Sequence, residues 1–164
     1  MRIHASRNAV ATLLAAAVIA AAPPAGAQPK TEPPMKPLAS AELDVQGVVA
    51  DVIESTRKEG VLTVRVRFRN TGDKPVKFLL AGSGRYDDNY LSAGNVKYTV
   101  IRDAKNYPVA TPTDGGGWLE PKIAKGGSWN WWAKFPAPPA EQKKYSLYLK
   151  VGPPIDDVPI IDKP

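Results

Sequence analysis

The residues of this chain best suited to chemistry are its indoles and phenols. Trp129, Trp131 and Trp132 fall within four positions of GGSWNWWAKFP, and Trp118 sits in the glycine-rich run GGGWLEP. Tyr86 and Tyr90 flank an acidic pair in GSGRYDDNYLSAG. Flat amphipathic rings anchor contacts or stack on sugars when exposed, and fill cores when buried. In an extended strand Trp129, Trp131, Ala133 and Phe135 share one face, while Asn130, Trp132 and Lys134 share the other. The first set is an apolar core face. Trp132, alone on a polar face, is the member placed to meet solvent. The predicted ligand-binding residues are therefore Trp132, Trp118, Tyr86 and Tyr90.

The second candidate chemistry is acidic. Asp87, Asp88 and Asn89 offer hard oxygen ligands of the kind calcium takes. They lack the alternating D-x-D-x-D spacing of an EF-hand loop, and adjacent aspartates in a loop ordinarily act as solvated turn formers. Asp156-Asp157, flanked by prolines, reads as a turn. A glycosidase needs two carboxyl groups about 5–9.5 Å apart across a cleft. Neighbours in a strand point to opposite faces, so Asp87 and Asp88 do not form such a pair there.

What is missing narrows the chemistry further. The sequence holds no cysteine and one histidine, His4, which lies in a segment expected to be removed. Ser-His-Asp and Cys-His nucleophilic centres are then impossible, and zinc, copper and haem lose their usual ligands. The chain reads as a non-enzyme with no catalytic residue and no cofactor.

Those residues must be positioned by a short exported domain. MRIHASRNAVATLLAAAVIAAAPPAGAQ has the plan of a signal peptide: Arg2 and Arg7, an apolar run over residues 9–22, and Ala25-Gly26-Ala27 for cleavage. The apolar run is shorter than the ~20 residues a spanning helix needs, so no membrane insertion is expected after cleavage. Removing residues 1–27 from 164 leaves 137, one ordinary domain with a tail. It also takes two of the 22 basic residues and none of the 16 acidic ones, lowering the formal charge from +6 to +4. So mild and scattered a basic excess does not predict nucleic acid binding. The expected location is the periplasm, with release to the medium as the alternative.

Residues 28–40, QPKTEPPMKPLAS, read as a Pro-rich linker. Beyond them, short apolar runs alternate with proline and glycine turns, and no helical period persists. The clearest strand is Val61–Asn70, with Leu62, Val64, Val66 and Phe68 on one face and Arg65, Arg67 and Arg69 on the other. The arginines read as a solvated face paired across to Asp51 or Glu54. Further strands are expected over residues 43–54, 76–80, 96–102, 129–135 and 144–151, with a polar connection over 55–60. The proline-studded tail over 152–162 can only be an edge or covering strand. About seven short strands predict an all-β fold, an immunoglobulin-like antiparallel sandwich over residues 41–162.

The segments NTGDKPVKF, VKYTVIRDAKNYPVAT, WNWWAKFPAPPAE and KKYSLYLKVGPPIDDVPI carry a resemblance. Residues 43–162 resemble a domain family of unknown function from exported bacterial proteins, some attached to outer-membrane or peptidoglycan-associated modules. FPAPP and DVPI are its most specific pieces. The resemblance implies an immunoglobulin-like sandwich and no catalytic residues. The expected function is a non-catalytic interaction or structural accessory module of the cell envelope, its partner an envelope protein or glycan. A carbohydrate-binding module using exposed tryptophan is the alternative. An enzyme inhibitor would need a pre-organised loop, and residues 115–117 (GGG) read as too flexible for that.

Overall fold

The computed structural model describes residues 36–83 and 85–164. The signal peptide expected over 1–27, and most of the linker expected over 28–40, lie outside the described residues. Every regular element among the described residues is a strand.

The first sheet is organised around β3 (Val61–Asn70). Leu62, Val64, Val66 and Phe68 are fully buried, and Arg65, Arg67 and Arg69 lie on the opposite face, as the alternation predicts. β2 (Val48–Lys58) pairs antiparallel on one side of β3, and β8 (Ser128–Pro136) on the other. β1 (Ala39–Glu42) and β11 (Ile161–Asp162) line the far edge of β2, β1 antiparallel and β11 parallel. The second sheet has the order β10 (Ile155–Pro159), β9 (Lys144–Tyr148), β5 (Tyr90–Ala93), β6 (Val96–Thr99). β4 (Val76–Lys77) and β7 (Lys122–Ile123) form a separate two-stranded ribbon. Trp131, Phe68 and Phe135 from the first sheet join Leu91, Tyr145 and Leu147 from the second in one apolar core.

Several boundaries differ from those the sequence predicts. The strand expected over 43–54 starts only at Val48, and residues 43–47 form the turn between β1 and β2, where Gly47 takes a φ of 75°. A side chain there would also meet the backbone of Gly72 at 3.0 Å, so the position suits glycine alone. The polar residues 55–57, expected in a connection, continue β2. Glu59 and Gly60 alone make the hairpin, with φ of 50° and 77°, the positive pair a type I′ turn requires. The run expected as a strand over 76–80 keeps strand pairing only at Val76–Lys77, and Leu80 continues by donating its N–H to the Leu119 carbonyl. Regular structure also begins at Ala39, inside the stretch read as linker.

Ser55, Thr56 and Arg57 defeat a polarity-based reading because all three are buried. Arg57 has the clearest reason. Its Nε and Nη2 donate to the two Asp162 oxygens at 2.6 and 3.0 Å. Nη1 donates to the carbonyls of Pro138, Pro139 and Gln142, and Nη2 also to that of Ala140. This one guanidinium ties β2 to the loop that carries the chain from β8 in one sheet to β9 in the other. It also holds β11 on the edge. The proline-rich loop has few N–H groups of its own, and its carbonyls need an outside donor. Planar, multiply donating arginine suits that task and lysine does not.

Arg57→Lys is therefore expected to lower unfolding free energy by about 1–2 kcal/mol, since it leaves carbonyls of the Pro138–Gln142 loop without their donor. Urea denaturation measures this, with Lys143→Ala on the same carboxylate as the exposed comparison. A loss under about 0.5 kcal/mol, the range of ordinary surface changes, would remove the clamp from the account.

Candidate functional site

β8 distributes the tryptophans. It pairs with β3 in unbroken register from Val61↔Pro136 to Arg69↔Ser128. Trp131, opposite Val66, is fully buried, and its indole N–H has no acceptor among the described residues. It fills the core. Trp132, opposite Arg65, is half-buried on the outer face, and its backbone is held by Thr111 through hydrogen bonds of 2.8 and 2.9 Å. Trp129 starts the strand where the core thins. It is half-buried and touches Phe68 with ring centroids 5.8 Å apart.

On the outer face of this sheet the arginines pair as their alternation predicts. Arg67 and Arg69 converge on Asp51, which is 0% exposed, with contacts of 3.0 and 2.5 Å. Ser40 donates to the same carboxylate at 2.8 Å. Burial works against the Asp51 charge, but Arg69, Ser40 and Arg67 together hold its carboxyl below the usual carboxylate range. Arg65 meets Glu54 more loosely at 3.5 Å. The arginines on this face are answered from within.

The four aromatic residues singled out from the sequence do not form one patch. Tyr86 is fully buried, its hydroxyl donates to the Thr111 carbonyl, and burial pushes its pKa up to about 12. Its ring supports the segment behind Trp132 and presents nothing outward. Tyr90 lies on the outer face of the second sheet, whereas Trp132 belongs to the first. It stacks on Tyr148 at 4.6 Å, and the Lys97 ammonium sits 3.9 Å above its ring. The acidic loop is likewise committed. Asp87 faces Arg102 at 3.5 Å and Asp88 faces Lys150 at 3.6 Å. Asn89 is buried, donating to the Leu80 carbonyl and accepting from the Lys150 N–H. Among the described residues no three acidic or histidine side chains converge on one point.

Trp118 is different. Its indole is 42% exposed, yet it is not loose. A side-chain carbon at Gly82 would come within 2.8 Å of the ring, and one at Gly116 within 2.9 Å. The ring thus lies against two glycine backbones that no larger residue matches. The loop holding it is closed by Asp114, whose Oδ1 accepts the N–H groups of Gly116 and Trp118 at 2.9 and 2.8 Å. The Asp114 N–H donates to the Trp118 carbonyl, and the Gly117 N–H to the Asp114 carbonyl. The glycine run expected to be too flexible for pre-organisation is tied by four hydrogen bonds.

Trp118 and Trp129 together line an open cleft of about 430 Å³. Its other walls include Thr111, Lys77, Glu120 and Lys122. That volume falls within the ~300–1,000 Å³ of small-ligand sites. Trp132 does not line it. Sequence reasoning assigned Trp129 to the core by alternation alone. The available signal was its place at the end of the strand, two residues after the Gly126-Gly127 turn.

No family model, curated protein or solved structure matches the chain. The site is read from its own chemistry: a held indole, a second indole beside it, and paired charges at the rim.

Gly82→Ala is expected to push the Trp118 ring off its seat and raise its accessibility to acrylamide quenching, at about 1 kcal/mol of stability. Gly115→Ala is the control, because a side chain there meets nothing within 4 Å. Wild-type quenching in Gly82→Ala would contradict the packing described.

Proposed function

We propose that this protein is an exported, non-catalytic interaction module of the cell envelope, built as an immunoglobulin-like sandwich and working in the periplasm. The strand order supports the fold reading. The orders β2-β3-β8 and β10-β9-β5-β6 are those expected of strands A-B-E and G-F-C-C′ in such a sandwich. FPAPP and DVPI, the segments that carry the family resemblance, border the loop and tail that Arg57 joins. That junction gives both motifs a structural reason.

The observation that carries the binding reading is the Trp118–Trp129 cleft. An indole seated on glycine backbones and left open has its ordering cost met before a ligand arrives. Tryptophan is also the residue type that most often dominates contact energy. The rim charges Lys77 and Glu120, 2.5 Å apart, add polar groups suited to orienting a partner.

A second reading names the ligand as a glycan, and one observation favours it over a protein partner. The cleft offers one flat ring face bordered by hydroxyl, carboxylate and ammonium groups, matching a sugar's apolar face and hydroxyl edge. Protein hot spots usually sit amid a broader apolar surround, and here four charged side chains interleave with the apolar walls.

Co-sedimentation with isolated cell-wall sacculi and with envelope membrane vesicles tests the module reading. Wild-type retention on either fraction, lost in Trp118→Ala and kept in Trp132→Ala, is the expected result. Equal behaviour of wild type and Trp118→Ala on both fractions would remove the cleft as the contact site.

A further inference from the structure

Two lysines and two carboxylates line the cleft, and one of the lysines makes no ion pair there. β4 and β7 pair through Val76↔Ile123 and Lys77↔Lys122. Ile123 is buried and Val76 packs against the core, so the two lysines emerge together on the cleft side. Like charges directly opposite in a sheet repel, and such a pair persists where something offsets it. Glu120 offsets one of them, lying 2.5 Å from the Lys77 ammonium. Asp114, the other acid lining the cleft, has one oxygen engaged by two loop N–H groups. Among the described residues no carboxylate lies within ion-pair distance of Lys122.

One cleft therefore presents a flat apolar ring, a second indole, and an ammonium with no ion-pair partner among the described residues. The volume of about 430 Å³ has room for one or two sugar rings. A neutral sugar stacked on Trp118 leaves Lys122 facing Lys77 as before. A sugar bearing a carboxylate satisfies it.

We propose that the cleft takes an acidic glycan, with one ring stacked on Trp118 and a ring carboxylate at Lys122. This rests on the glycan reading above and goes beyond it by fixing the ligand's charge. Binding is then sensitive to salt, as an exposed ion pair must be. Lys122 selects the acidic sugar, and Trp118 supplies the contact that any sugar shares.

The test compares an oligogalacturonate with its fully methyl-esterified form, which keeps the rings and removes the charge. An alginate-derived oligouronate and its ester form a second pair. Tryptophan fluorescence titration gives the dissociation constants. The free acid is expected to bind about tenfold more tightly than the ester, the scale of one charge-assisted contact. Lys122→Gln is expected to erase that difference by lowering the affinity for the free acid to that for the ester. Trp118→Ala is expected to abolish both. Equal binding of acid and ester overturns the acidic preference and leaves the glycan reading standing. Binding of neither form, in either pair, overturns the glycan reading with it.

Discussion

The nine-residue register of β8 on β3 is the constraint on which the rest of the structure turns. In a strand, a slip of one position exchanges every side chain between core and solvent. With Trp131 opposite Val66 the core receives its largest side chain, and Ala133 opposite Val64 keeps that layer from overfilling. The same register sends Trp132 and Lys134 outward and leaves Trp129 at the sheet's end, beside Trp118. One pairing thus decides which indole is structural and which lines a cleft.

That pairing needs support, because the chain has no disulfide to join its sheets. Two polar centres supply it. Asp51, buried between Arg67, Arg69 and Ser40, fastens the outer ends of β1, β2 and β3. Arg57 fastens the crossing from β8 to β9 and the strand β11. Both are buried charges with their hydrogen bonds met, the condition under which such groups are tolerated. The cleft lies elsewhere, and its rigidity comes from Asp114 and from two glycines against an indole. Fold and site are therefore held by separate interactions.

Much of this was legible in the residues. Alternation gave β3 to its ends, separated Trp131 from Trp132, and paired the arginines with Asp51 and Glu54. The all-β class followed from turn spacing and the lack of a helical period. Several features were hidden for identifiable reasons. Ser55, Thr56 and Arg57 look like a loop because polarity does not reveal a buried guanidinium whose acceptors lie about 80 residues away, a separation set by its bonds to residues 138–142. Tyr86 looks like a loop aromatic because its acceptor, the Thr111 carbonyl, is distant in sequence. The pairing of Trp118 with Trp129 depends on how the ribbon β4–β7 brings residues 118–123 beside the start of β8. No local pattern encodes that.

The central claim is that Trp118 is a held, open indole at a ligand cleft, while Trp131 is filling. Nitrogen–proton correlation NMR of the indole groups tests it most directly, since the chain has four tryptophans and so four indole signals. On titration with the oligogalacturonate, the account predicts that the Trp118 signal moves first, Trp129 follows, and Trp131 stays fixed. A shift confined to Trp132, or a Trp118 signal unmoved while the protein binds, would contradict it.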